Sequence, residues 1–180
     1  KFGKQVLQTP SIELITSGES KITNLIPIEI EDLLGRNTIQ ANNNMLKSGI
    51  YKKTICITGA GGSIGSELSR QVASLNPDKL ILIDNNEPSL YRICEEINKL
   101  YNNKINLRPI IGNTTNELFL DKLFSTHKIH SVFHAAAYKH VPLVELNPLQ
   151  GIENNVLSTK AICKACEKNN VEKMILISTD

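Results

Sequence analysis

From Thr54 onward, short apolar runs alternate with stretches in which apolar residues recur at helical spacing. That alternation predicts strands joined by crossover helices, and hence a parallel sheet. The strands fall at Thr54–Thr58, Lys79–Asp84, Ile105–Ile111, Ser131–Ala136 and Lys173–Ser178. After the first, Ile64, Leu68, Val72 and Leu75 form one helical face; after the second, Leu90, Ile93, Ile97 and Leu100 form another. Weaker helical signals follow at Glu117–His127 and, behind the Asn147-Pro148 start signal, at Leu149–Asn169. The prediction is an α/β domain with five strands and four helices. Right-handed crossovers place the strands in the doubly wound order 3-2-1-4-5, with a ligand crevice above the carboxyl ends of the first and fourth.

The first 50 residues have another texture. Ile12–Ile15 reads as a short strand, Ile28–Leu34 mixes apolar residues with Glu29, Glu31 and Asp32, and the polar run Gln40–Ser48 reads as a linker. Residues 1–50 are therefore expected to be an arm and linker from a preceding region, and residues 51–180 the main domain.

Composition narrows the class. With 180 residues, 41% of them apolar and 21% charged, the chain can bury one core. Its 20 basic and 18 acidic residues are scattered, which argues against a nucleic-acid or anionic-lipid surface. The longest apolar runs are strand-sized, so no membrane contact is expected of this piece, and no signal-like segment opens it. Four cysteines are too few for a secreted disulfide framework. Cys163 and Cys166 form a C-x-x-C, but without a second Cys or His pair nearby they read as small residues on a packed helix.

The strongest motif is Thr58-Gly59-Ala60-Gly61-Gly62-Ser63-Ile64-Gly65, between a strand and a helix. Gly59 suits a tight turn, Gly62 lets a pyrophosphate approach the backbone, and Gly65 lets helix and strand pack closely. The helix start supplies free N–H groups and a positive dipole. Asp84 stands 19 residues beyond Gly65 at the end of the second strand, where a carboxylate accepts from both ribose hydroxyls. A 2′-phosphate would meet that charge, so NAD is favoured, with NADP still possible. Ala135 to Ala137, at the end of the fourth strand, either line a slot for a flat ring or pack the sheet tightly. Lys139 either reaches phosphates or is solvated. His127, His130, His134 and His140 are spread over loop and strand without a carboxylate in register, so they are not read as a metal site.

The run from His134-Ala135-Ala136-Ala137-Tyr138-Lys139-His140-Val141-Pro142 to Glu145, with Asn147-Pro148, Asn154-Asn155-Val156, Thr159-Lys160 and the final Ile177-Ser178-Thr179-Asp180, resembles the polysaccharide-biosynthesis branch of the extended short-chain dehydrogenases. The resemblance covers about residues 52–180. It implies a Rossmann-like NAD(P)-binding domain that stops before its substrate-binding part, and the activity of a UDP-N-acetylglucosamine-type 4,6-dehydratase. A 4-epimerase or reductase, or a non-catalytic dinucleotide sensor, are the alternatives. In that family Gly59, Gly62, Ser63, Ile64 and Gly65 would hold the pyrophosphate, with Asp84 and Asn85 at the adenosine ribose. Asn113 and Thr114 would lie by the adenine, Ala135 and Ala137 by the cofactor, and Lys139 between cofactor and UDP-sugar. Ser178 and Thr179 would stand beside nicotinamide and substrate, and Asp180 would protonate the departing 6-hydroxyl. The segment Ile28 to Arg36 resembles the connector of long membrane-bound members. The expected parent is thus a larger, membrane-attached homo-oligomer on the cytoplasmic side, and this piece alone is expected to be inactive.

Overall fold

A computed structural model of the chain describes residues 7–10, 12–18, 21, 25–27 and 42–178. The chain divides into two compact units, Lys1–Ala41 and Asn42–Asp180. In the first, β1 (Leu7–Gln8) pairs antiparallel with β2 (Ile26–Pro27). Between them α1 (Ile12–Thr16) is a helical turn where a strand was expected, and the Thr16 hydroxyl donates to the Ile12 carbonyl four residues back. The Ile28–Arg36 segment lies outside the described residues.

The second unit begins with α2 (Asn43–Ile50), so most of the polar run read as a linker is helical. Polarity misled because asparagine here works as a cap: the Asn42 side chain accepts from the backbone N–H groups of Asn44 and Met45, and Ile50 is buried in the core. The sheet follows. Its strands are β3 (Thr54–Thr58), β4 (Lys79–Asp84), β5 (Leu107–Ile111), β6 (Ser131–His134) and β7 (Lys173–Leu176), all parallel, in the order β5-β4-β3-β6-β7. This is the expected doubly wound order, with helices on both faces. Pro109 sits inside β5, which tolerates the missing N–H because β5 is an edge strand.

Side chains alternate across the two faces of the central strands. Ile55, Ile57, Leu80 and Leu82 point to one face, packing against α3 (Ser63–Ser74) and α4 (Glu87–Leu100) through Val72, Ala73, Leu90, Ile93 and Ile97. Cys56, Ile81, Ile83 and Val132 point to the other, against α5 (Glu117–Thr126) and a later helix through Leu120, Phe124 and Ile162. Asn86 and Asn116 cap α4 and α5 as Asn42 caps α2. At the other helix ends Asn76, Asn102, Asn103 and Asn170 hold left-handed backbone, which asparagine tolerates better than most residues.

Several element limits differ from expectation. β5 starts at Leu107, and β6 and β7 each stop two residues early, at His134 and Leu176. The next residues leave the sheet to floor a crevice. Of the expected face of α3, Leu68, Val72 and Leu75 pack on the core together with buried Gly65, Ser69 and Ala73, and only Ile64 departs from it, being exposed. Leu100 likewise stays exposed at the end of α4. The Leu149–Asn169 stretch is not one α-helix. It comprises α7 (Pro148–Gly151), a π-helix (Ile152–Leu157) and α8 (Ser158–Lys168), preceded by an unexpected α6 (Val141–Leu146). Among the described residues, no helix is long and apolar enough to cross a membrane.

Candidate dinucleotide site

The glycine turn stands between β3 and α3, and three of its glycines are held by close packing. Gly59 has φ +65°, and a Cβ there would lie 2.7 Å from the Ala135 carbonyl oxygen. A Cβ on Gly61 would meet the Ser89 Cβ at 2.5 Å, and one on Gly65 would fall 1.9 Å from the Gly59 carbonyl oxygen. Gly65 therefore packs α3 on the turn itself. Gly62 differs: a Cβ there would approach only the Gly59 carbonyl oxygen, at 3.3 Å. It faces space. As the N-cap of α3 it also brings no side-chain acceptor to the first turn, which leaves that turn's N–H groups available to an anion.

Asp84, at the end of β4, ties the turn to the neighbouring strand. One carboxylate oxygen accepts the Gly61 N–H at 2.8 Å and the other accepts the Asn86 N–H at 2.8 Å. Each oxygen keeps a second lone pair, so the carboxylate can still receive hydroxyl donors. At the end of β5, Asn113 accepts the Thr115 N–H at 2.9 Å and so shapes its own turn, while Thr114 is buried.

Two cavities meet over this frame, of about 690 Å³ and about 520 Å³. Gly62, Ala135, Ala136, Ala137, Tyr138 and His140 border both. The smaller adds Gly59, Asp84, Asn85, Asn113 and Thr114. The larger adds Ser63, Ile64, Lys139 and Ser178, with an apolar wall from Leu143, Val144 and Leu176. The structure thus gathers the described sequence-derived candidates in one crevice at the carboxyl ends of β3 to β7, except Gly65, which lies beneath it. Thr179 and Asp180 lie outside the described residues.

Sequence reasoning assigned no role to Tyr138, His140, Asn154 or Asn155, which also line the cavities. The π-helix brings the two asparagines in. The Asn155 side chain accepts the Tyr138 N–H at 2.8 Å and donates to the Tyr138 carbonyl at 3.0 Å, and Asn154 Nδ2 donates to Asn155 Oδ1 at 3.0 Å. Nothing in local periodicity marks a π-turn; the adjacent Asn-Asn pair was the one available signal.

His134 is buried at the root of the crevice, and desolvation pulls its pKa from 6.5 to about 4, so it is neutral. His130 accepts the Thr54 N–H at 3.0 Å, at the opposite end of the sheet. Among the described residues no three His, Cys, Asp or Glu side chains group to hold a metal. Burial pushes the Cys166 thiol up to about 11 on its packed helix face, whereas Cys163 is exposed against Met174.

Known proteins align with this arrangement. A Capsular polysaccharide biosynthesis protein CapD of Staphylococcus aureus is 42% identical over 178 residues, 99% of this chain and 30% of that protein. An inverting UDP-N-acetylglucosamine 4,6-dehydratase of Campylobacter jejuni is 32% identical over 130 residues, 72% of this chain and 37% of that protein. The chain thus spans only about a third of these relatives' lengths. Among solved structures, the UDP-glucose-4-epimerase of Stenotrophomonas maltophila, with bound NAD and formylated UDP-arabinopyranose, superposes with a TM-score of 0.64 at 21% identity. That alignment covers 71% of this chain and 37% of the epimerase, and shows a shared fold. A family model described as polysaccharide biosynthesis protein matches residues 55–180. Together with the glycine turn and the five-stranded doubly wound sheet, that match places the chain in the polysaccharide-biosynthesis branch of the extended short-chain dehydrogenase/reductase family.

Proposed function

We propose that this chain is the NAD-binding part of a nucleotide-sugar 4,6-dehydratase of the UDP-N-acetylglucosamine type, acting in surface-glycan synthesis at the cytoplasmic face of the membrane as a homo-oligomer. The observation that carries the reading is the pair of adjoining cavities meeting over Gly62: a dinucleotide needs two compartments joined where its pyrophosphate passes a helix start. Gly62 bordering both cavities, at the start of a helix without a side-chain cap, fits that pyrophosphate.

In this reading Ser63 and Ile64 bind the diphosphate through backbone N–H groups, which Gly62, without a side chain, lets it approach, while its own N–H stays on the Gly59 carbonyl. Asp84 and Asn85 take the adenosine ribose, Asn113 and Thr114 border the adenine, and Ala135 and Ala137 leave room for flat rings. Lys139 and Ser178 orient the sugar nucleotide in the larger cavity, with Thr179 beside it. A nicotinamide held there would supply reversible hydride transfer with the sugar, at C4 and C6. Asp180 gives a proton to the departing C6 hydroxyl while a base of the full-length protein takes the C5 proton, so that water is lost across C5 and C6.

The test uses the full-length protein with UDP-N-acetylglucosamine, followed by proton NMR. A new C6 methyl doublet with loss of the C4 proton is the expected product signature, abolished in Asp180→Asn. A C4 epimer without loss of water would replace the dehydratase reading by an epimerase, the second reaction this fold supports. No turnover, with NAD tightly held, would favour a sensing module.

A further inference from the structure

His134 ends β6 with its side chain 1% exposed, between two hydroxyls from different elements. Its Nδ1 lies 2.5 Å from Thr58 Oγ1, and its Nε2 lies 3.4 Å from Ser158 Oγ. Thr58 immediately precedes Gly59 of the glycine turn, and Ser158 opens α8 directly after the π-helix.

The direction of these bonds follows from counting protons. The π-helix shifts backbone pairing away from the i to i+4 pattern, and side chains fill in: the Ser158 hydroxyl donates to the Asn154 carbonyl, and the Thr159 hydroxyl donates to the Asn155 carbonyl at 2.7 Å. A hydroxyl has one proton. With that of Ser158 directed to Asn154, its oxygen can only accept, so the proton between them belongs to His134 Nε2. Nδ1 is then bare and accepts the Thr58 hydroxyl. One directed chain runs from Thr58 through His134 and Ser158 to the Asn154 carbonyl. Burial keeps the ring neutral, which preserves the bare Nδ1.

Each end of the chain carries part of the crevice. At one end is the turn that holds Gly62. At the other, Asn154 borders the smaller cavity and donates to Asn155, which borders the larger one and holds Tyr138 by both backbone groups. We infer that His134 is a positioning residue that pins the π-helix to the glycine turn, and so sets the two asparagines and the Tyr138–Lys139 backbone at the heights dinucleotide binding requires. An apolar side chain would fill the space but leave the Thr58 and Ser158 hydroxyls without their shared partner.

This inference rests on the dinucleotide reading for its functional consequence, and two of its three readouts stand apart from it. Full-length wild type, His134→Gln and His134→Leu are compared; glutamine can offer both an acceptor and a donor, leucine neither. The ¹⁵N shifts of labelled histidine should show a neutral ring protonated at Nε2. Hydrogen exchange at residues 152–159 and 138–140, without ligand, should be faster by about tenfold in His134→Leu and close to wild type in His134→Gln. NAD affinity should fall by about tenfold in the leucine variant and recover in the glutamine variant. If leucine prevents folding, Ser158→Ala removes the same link with less disturbance and should loosen the same residues. An Nδ1-protonated ring, unchanged exchange in these segments, or equal losses in both His134 variants would overturn the inference. Absence of NAD binding in the wild type would instead remove the dinucleotide reading, while the shifts and the exchange still decide the role of His134.

Discussion

Gly62 and Gly65 stand one helical turn apart and make opposite demands, which separates binding from folding at single-residue resolution. A methyl group on Gly65 would collide with the Gly59 carbonyl, so Gly65→Ala should shift the turn and cost about 1–3 kcal/mol of stability. A Cβ on Gly62 meets only one tight contact, the Gly59 carbonyl oxygen at 3.3 Å, so Gly62→Val should cost less stability than Gly65→Ala while abolishing NAD binding, because the side chain takes the diphosphate's place. Urea unfolding and calorimetric titration of both variants check the pair; NAD retained by a folded Gly62→Val would make the turn purely structural. His134 makes a second residue-scale prediction. Its folded pKa lies near 4 against 6.5 because burial disfavours the charge, so the unfolded chain takes up the proton first as pH falls. Stability should therefore be intact above about pH 6.5, decline towards pH 4 and level off below, by up to about 3 kcal/mol. Urea midpoints across that interval, compared with His134→Gln, read the effect; identical pH profiles would contradict it.

At the scale of elements, burial on both faces distinguishes the strands. Leu80, Ile81, Leu82 and Ile83 of β4 are all 0% exposed, between two helical layers, whereas Leu176 on edge strand β7 is 50% exposed. Ile81→Ala should cost about 2–5 kcal/mol, against less than about 1 kcal/mol for Leu176→Ala, by urea unfolding. Near-equal losses would mean that the edge is covered in the assembled protein. The same burial explains which elements were legible. β3 and β4 read as apolar runs because neither face meets water, and their limits matched to the residue. The other limits were less legible, because interior β6 and edge strand β7 end where the chain turns into the crevice, and an exposed residue such as Ile64 carries no clear preference. The ion pairs Lys164–Glu117 and Lys168–Asp121 join α8 to α5 in two steps, a match of registers that no local pattern reveals.

For the whole molecule, cofactor choice is the property that the arrangement decides most directly. Asp84 is anchored by two backbone N–H groups, so it cannot swing away from an incoming 2′-phosphate. NAD should bind the full-length protein at least about tenfold more tightly than NADP by calorimetry. The reverse order would mean that Arg92, whose guanidinium donates to Ser89 Oγ at 3.0 Å on the rim of the smaller cavity, turns to the phosphate. By itself, the sequence determined the doubly wound order, the glycine turn and the carboxylate at the end of the second strand, because each follows from period, chirality and spacing within about thirty residues. Tertiary structure alone decided that Asn42 opens a helix rather than a linker, that a π-turn carries Asn154 and Asn155 into the crevice, and that His134 joins β3 to α8. Those outcomes depend on which buried polar groups find partners across the sheet. Thr58 and Ser158 lie a hundred residues apart in the chain, and only packing brings both to one imidazole.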